Sequence, residues 1–430
     1  MKVKSKIAII GGGISGISCA NILKEKNIES TLFEKQKSLG GLISCSIESG
    51  NIFHRVGGHV FNTKNQHVLN WFWNKFDCEK EFVKAKRNAV ILINGSFINY
   101  PIELNINQLN RSLGEKVINE LIELSKNKNI SKSFEDFLFN NFGKTLYSIY
   151  FGKYNKKIWK RDLNKIPLEW LEDKLPMIKP QEILIQNIYS TKKDNMAHSS
   201  FYYPKKGGSQ FIVERLSRNI VIEKNNINKI SYQNKSLILN NRKEKYSGLI
   251  YTGDIRDIKN LFTKELIEEL EIQEILNKID LLESNSTSTF LCECDKNEYS
   301  WIYLPSKDIK PHRIIMTGNF SNTNNNKKIG KNRITCTVEC SGEVKKEIFI
   351  NELNKLPFNP KLITYNYCKN SYIIHNSKTK LLVDSLRKVL LKKNIFLCGR
   401  FAEWEYFNMD NAIESAMKIC SSLESFVNFE

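Results

Sequence analysis

Apolar residues come in short blocks, and the spacing inside the blocks changes along the chain. Residues 5–34 begin with the run "KIAII", cross three glycines, continue at helical spacing and end in "STLFE". That order predicts strand, glycine turn, helix, strand. Residues 88–101, "NAVILINGSFINYP", hold two apolar runs around Asn94-Gly95, which predicts a hairpin. From about 107 to 200 apolar positions recur three and four apart, predicting a helical region with a stop near Pro176 and Pro180. Short strands return over 219–251, a helical pair is predicted over 255–278, and more strands follow to about 369. The Asn-rich stretch 322–332 reads as an exposed loop. The closing unit is a helix near 378–392, the strand "IFLCGR" and a helix near 410–424. No internal repeat is visible.

Size changes this picture little. A chain of 430 residues, 41% apolar and 11% aromatic, can bury a large core and is long enough for two or three units. No apolar run approaches the roughly 20 residues of a membrane span. The start, "MKVKSKIAIIGGGISGISCA", has the basic-then-apolar look of a leader, but glycines break the run and a second strand follows. The expected location is therefore the cytoplasm. The ten cysteines show no pairing logic and include no C-x-x-C, so they read as reduced core residues. The six histidines do not cluster with them, and no metal site is expected.

Lys and Arg total 65 against 46 acids, a formal charge of +19. Such a balance first suggests nucleic acid, yet the lysines are scattered among asparagines with no basic helix or RNA-binding motif. No nucleic-acid partner is expected. A lysine- and asparagine-rich coding bias, attraction of phosphate-bearing small molecules and an anionic membrane surface remain open as explanations.

Candidate chemistry begins in "IAIIGGGISGISCA", where Gly11, Gly13 and Gly16 form G-x-G-x-x-G between an apolar strand and a helix led by Ser15. The first glycine permits the turn, the second lets backbone approach a pyrophosphate, and the third lets helix and strand pack closely. The helix N-terminus offers free N–H groups and partial positive charge to phosphates. Glu34, followed by Lys35, ends the second strand at the spacing of an acid that grips ribose hydroxyls. An acid there disfavours a 2′-phosphate. A second pair, Gly40-Gly41 before Leu42, then turns the reading from a nicotinamide toward an extended flavin, along which a side chain would collide.

With these residues the chain resembles the two-dinucleotide-binding-domain flavoproteins, which include amine oxidases and protoporphyrinogen oxidase. The resemblance implies FAD in a discontinuous α/β Rossmann-like domain drawn from 1–85, 203–255 and 385–430, with Val221 near the adenine. A helical insertion over 105–202 and a mostly antiparallel substrate-side sheet from 86–104 and 256–384 would complete the fold.

Further patches resemble one member of that group, the UDP-galactopyranose mutases. "FHRVGGHVFNT" (53–63) is similar to the mutase stretch in which a glycine and a histidine, here Gly58 and His59, lie against the flavin. "FGKYNKKIWKRD" matches a Tyr-x-x-Lys-x-Trp segment through Tyr154 and Trp159. "SFYYPKKGGSQFI" and "YSWIYLPSKDIKPHRIIMTGNFS" look like the eukaryotic branch, with Tyr303 and Arg313 in matching positions. "GRFAEWEYFNMDNAI" (399–413) is similar to the C-terminal motif, in which Arg400 and Tyr406 would contact the substrate diphosphate. In the same motif Gly399, Met409 and Asp410 would face the cofactor.

The resemblance implies a pyranose–furanose isomerase acting on a nucleotide-diphosphate sugar. FAD would be active when reduced, its N5 attacking C1 of the sugar while the nucleoside diphosphate leaves and returns. An external reductant, NAD(P)H or a reductase, would be required, and a homo-oligomer stays open. Two arginines suit a departing diphosphate because each guanidinium clamps phosphate oxygens in a fork. Arg313 and Arg400 are the candidates, with Tyr303 and Tyr406 donating phenolic hydrogen bonds. Tyr154 and Trp159 either wall the sugar pocket or pack helices, and His59 is either the polar group near N5 or a satisfied buried histidine. His54, His67, His198, His312 and His375 read as structural.

The chain departs from the bacterial pattern at one point. Where bacterial mutases place an arginine after an Ile-Pro-x turn, "LPMIKP" offers Ile178 and then Lys179, a point charge rather than a fork. A bacterial-type arginine in the 280s is also absent from "ESNSTSTFLCECD". A different sugar or base is then open. The rivals are a flavin oxidase or desaturase, which would have little use for paired arginines, and a non-catalytic flavin-binding scaffold.

Overall fold

The computed structural model of the chain describes residues 6–126, 130–168, 178–189 and 200–427. The run KIAII forms the central strand of a five-stranded parallel sheet. Its order is Ile395–Leu397, Gly248–Tyr251, Lys6–Ile10, Glu29–Phe33 and Ile222–Glu223. Ile7, Ala8 and Ile9 are all buried, as a parallel strand covered on both faces requires. The helix Ile14–Glu25 leaves the glycine turn and packs against Met409–Val427, so the two ends of the chain share one core.

The second sheet has seven strands. Their order is Lys361–Ile373, Ser284–Asp295, Arg333–Ser341, Arg313–Ile315, Trp301–Tyr303, Ala89–Ile93 and Ser96–Asn99. All neighbours are antiparallel except Trp301–Tyr303 beside Ala89–Ile93. Asn94 and Gly95 make the predicted hairpin turn, both with positive φ (49° and 82°). Side chains alternate across this sheet. One face carries Ile302, Ile314, Val338 and Phe290, the last stacked 3.7 Å from Phe349. The other carries the row Tyr303, Arg313, Glu339 and Thr289, joined as direct cross-strand partners.

Helices Arg111–Lys126, Phe134–Leu146 and Gly152–Trp159 lie beside this second face and bring Tyr154 to Tyr303. Ser133 and Asp136 form a reciprocal capping box that starts the second of them. Among the described residues no helix is long and apolar enough to cross a membrane.

Three expectations need correction. Pro180 opens the helix Pro180–Tyr189 instead of stopping one, because a first-turn position needs no N–H from it; Pro176 and His198 lie outside the described residues. The region 255–278 is broken into Ile258–Leu261, Lys264–Glu269 and Gln273–Ile279, since Thr263 caps a new start and Glu271 turns with φ 55°. The Asn-rich stretch is only partly an exposed loop. Asn324 is fully buried and donates to the Tyr203 hydroxyl (2.9 Å) and the Thr317 carbonyl (2.8 Å).

Candidate functional site

A cavity of about 660 Å³ runs from the glycine turn to the polar row of the second sheet. At its first end lie Gly11, Gly12, Gly13 and Ser15. A Cβ on Gly16 would stand 2.0 Å from the Gly11 carbonyl oxygen, so this glycine is dictated by close packing of helix and strand. A Cβ on Gly13 would meet nothing within 4 Å and would project into open space. Gly13 is also the N-cap of Ile14–Glu25 and brings no side-chain cap to its free N–H groups. Glu34 lines the same end, its carboxylate accepting from Gly12 N and Gln36 N at 2.6 Å each. Lys35, Gly40, Gly41 and Leu42 line it too.

The second glycine pair is also needed by the packing of the protein itself. Gly40 N donates to Gly12 O at 2.8 Å, and a Cβ on Gly40 would press on Val213 and Ser44. A Cβ on Gly41 would come within 3.3 Å of Gly13 Cα. Both positions therefore make room for protein, holding the two turns together.

Val221 is not at the cavity. It is 60% exposed and serves the sheet through its carbonyl, which accepts from Leu32 N at 2.9 Å. The segment Asn225, Asn226, Ile227 and Asn228 lines that end instead. Gly16, Gly399 and Asp410 also lie off the wall. Gly399, with φ 92°, backs Ser15, on whose Oγ a Cβ would fall at 2.3 Å. Asp410 stands in the first turn of Met409–Val427, whose Met409 does line the cavity.

The middle of the cavity is walled by Val56, Gly57, Gly58 and His59. A Cβ on Gly57 would sit 3.6 Å from His59 Nε2 and 3.9 Å from both Arg313 Nη2 and Glu339 Oε1, so the bare backbone there leaves a gap at which three polar groups converge. Among the described residues His59 Nε2, Glu339 Oε1 and Arg400 Nε are shielded and have no hydrogen-bond partner. Burial, then the charges of His54 and Arg400, push His59 down to about 3, so its ring is neutral at ordinary pH.

The far end is a ring of charge and aromatics. Arg313 Nε donates to buried Glu339, and Arg313 Nη2 donates to the Tyr372 hydroxyl at 2.8 Å. Tyr372 stacks on Tyr406 at 5.7 Å, and the Arg400 guanidinium lies 4.3 Å from the Tyr406 ring centre. Arg400 Nη1 donates to the Ser371 carbonyl at 3.1 Å. Burial alone would raise Glu339, but Arg313 and His312 reverse this and hold its carboxyl well below the usual range. Trp159 meets Tyr372 and Tyr406 edge-on at 6.1 and 6.3 Å, and Tyr154 meets Tyr303 at 5.3 Å. These three rings stand behind the cavity wall rather than on it.

The fold thus brings together His59, Arg313, Arg400 and Tyr406, with Tyr303, Tyr154 and Trp159 in support. Sequence reading missed Glu339 and Tyr372. A lone acid in the otherwise uncharged run "ITCTVECS" was the available signal for Glu339; "NSYIIH" carried none for Tyr372. Ile178 packs on the core, and Lys179 opens the next helix through its backbone, its N–H donating to Glu182 at 3.5 Å and its carbonyl accepting from Ile183 N at 3.1 Å.

The family described as NAD(P)-binding Rossmann-like domain matches residues 9–76. The dTDP-fucopyranose mutase of Escherichia coli is 32% identical over 182 residues, 40% of this chain and 46% of that protein. That alignment spans less than half the length of the relative. The UDP-galactopyranose mutase of Mycoplasma genitalium is 24% identical over 451 residues, covering 97% of this chain and 95% of its own. A crystal structure of reduced UDP-galactopyranose mutase superposes with a TM-score of 0.85 at 19% identity over 98% of this chain and 96% of that one. A redesigned putrescine oxidase follows at 0.63, 12% identity, 98% and 99% coverage. The chain has the fold of these two structures, and the mutase superposes on it better.

Proposed function

We propose that this chain, related to the UDP-galactopyranose mutases along nearly its whole length, is an FAD-dependent isomerase. It would interconvert the pyranose and furanose forms of a nucleotide-diphosphate sugar. One observation carries the reading. Arg313 and Arg400 come from different elements and bracket Tyr372, at the end of a cavity that begins at a dinucleotide-type glycine turn.

The residues present suit FAD. Gly12, Gly13 and the uncapped helix start would take its pyrophosphate, and Glu34 its ribose hydroxyls. Asn225–Asn228 would border the adenine end, and Gly58, His59 and Met409 the isoalloxazine. When bound and reduced, the flavin supplies a nucleophilic ring nitrogen for the anomeric carbon of the sugar. Everything else falls to the chain. Arg313 and Arg400 hold the diphosphate beside the sugar while the two are separated. Glu339 fixes the Arg313 fork, and the Tyr372 and Tyr406 hydroxyls face the same end. His59, neutral and with Nε2 unpartnered, offers a hydrogen bond to a sugar hydroxyl or the cofactor edge without adding charge. The division into a discontinuous cofactor domain, a helical insertion and a substrate-side sheet belongs to this reading, as do an external reductant and a small-molecule rather than nucleic-acid partner.

The test mixes flavin-loaded protein, reduced and oxidised, with UDP-galactopyranose or dTDP-fucopyranose and follows furanose formation chromatographically. Turnover with the reduced form alone, abolished in Arg400→Ala, is expected. Release of hydrogen peroxide from an amine, with no sugar conversion, would overturn the reading in favour of an oxidase.

A further inference from the structure

Half-buried arginines in this chain have carboxylate partners: Arg215 has Glu81, Arg256 has Asp254, and Arg333 has Asp295. Among the described residues two do not, Arg400 and Arg87. Arg400 lies in the cavity already described. Arg87 lies outside it, just before the strand Ala89–Ile93. Its guanidinium sits 4.9 Å from the Trp301 ring centre and 5.3 Å from that of Tyr100, and donates through Nη2 to the Tyr303 hydroxyl. Its Nε is shielded and has no partner among the described residues.

An arginine cannot shed its proton, so a shielded guanidinium without an acid is costly unless an anion arrives. The neighbourhood shows from where. Tyr303, which accepts from Arg87, is the direct cross-strand partner of Arg313 and touches Tyr154. Burial and the nearby Arg313 disfavour the Arg87 charge, but the Tyr303 and Tyr100 hydroxyls outweigh them and raise its pKa overall. The sheet face therefore presents cations on both sides of Tyr303, and of the two only Arg313 has a carboxylate partner among the described residues.

We propose that Arg87 is a third anion-gripping guanidinium of the substrate site, engaging the nucleoside-diphosphate end of the substrate beyond Arg313 and Arg400. This rests on the mutase reading for the identity of the anion, but the anion site itself does not. The site would then extend along the sheet past Tyr303, behind the present cavity wall, where the Trp301 and Tyr100 rings hold a fork whose Nη2 is on Tyr303 and whose Nε has no partner among the described residues.

The experiment titrates UDP, dTDP and inorganic pyrophosphate into the flavin-loaded full chain and into Arg87→Met and Arg87→Lys by calorimetry, with a melting curve for each. Arg87→Met should weaken nucleoside-diphosphate binding about tenfold or more, Arg87→Lys by less, with KM for a converted nucleotide sugar rising more than kcat falls. Melting should be unchanged or raised in Arg87→Met, because an unbalanced charge has gone. Unaltered affinity with a lowered melting temperature would overturn the proposal and leave Arg87 as a brace for Tyr303. If Arg87→Met does not fold, Arg87→Lys decides on affinity alone. Anion binding that depends on Arg87 without any sugar conversion would retire the mutase reading and keep this site. Sugar conversion with an unchanged KM in the variants would do the reverse, and a parent protein that binds none of these anions would sink both.

Discussion

Arg313 and Glu339 are direct cross-strand partners, and the guanidinium of the first donates into the fully buried carboxylate of the second. The carboxylate has no solvent to fall back on, whereas Arg313 keeps 22% of its side-chain surface exposed toward the cavity. The pair thus works as an anchored fork, one edge held and the other presented.

Removing the anchor should cost more than removing the fork's free edge. Glu339→Gln leaves Arg313 without its counter-charge and should lower unfolding free energy by about 3 kcal/mol, the lower end for a broken buried pair because Arg313 is partly solvated. Urea denaturation measures this. Nucleoside-diphosphate affinity should fall in the same variant, since Arg313 is then free to leave its geometry.

Two glycines of one motif should fail in different ways. Gly16→Ala drives a Cβ to 2.0 Å from a backbone oxygen and should destabilise the fold itself. Gly13→Ala meets nothing and should melt like the parent, yet fail to retain flavin because its methyl group enters the pyrophosphate space. Melting curves and flavin absorbance after gel filtration, taken together, check the contrast.

Acid should loosen the protein before most carboxylates titrate. His54 is buried, bonded to the Tyr203 hydroxyl at 2.7 Å, and lowered by burial from 6.5 to about 4. Between those values the unfolded chain binds the proton and the folded chain does not, so this contribution is full above pH 6.5, is lost as pH falls from 6.5 to 4, and levels off below 4. The loss from this residue approaches about 3 kcal/mol once both forms are protonated. Glu339, depressed by Arg313, adds a further loss below the ordinary carboxylate range. Melting temperature against pH, with a shallower slope between pH 6.5 and 4 in His54→Gln, is the measurement.

Asn324→Ala should cost about 2 kcal/mol, because the Tyr203 hydroxyl and the Thr317 carbonyl lose a buried donor. Thermal unfolding reads it. An exposed-loop asparagine would show almost nothing.

That asparagine also marks where the sequence stopped being legible. Composition makes 322–332 look solvated, and only tertiary contact reveals that one member points inward. The glycine turn, the hairpin at Asn94-Gly95 and the closing helix were readable because local backbone rules alone require them. Arg313, Arg400, Tyr406 and His59 could be picked out by resemblance, yet their meeting depends on two sheets coming together. Glu339 was hidden for the opposite reason, since a buried acid is recognisable only when its partner is known. Val221 could not be placed from sequence because it ends up exposed beside a short edge strand, while the asparagine segment just after it lines the cavity.

The helix that starts at the glycine turn is covered by the helix that ends the chain. A ribosome therefore delivers the cradle well before its backing, with nearly four hundred positions made in between. Until Met409–Val427 is made, one greasy flank of the nascent cradle stays bare, so a chain cut short before Met409 should be insoluble and colourless.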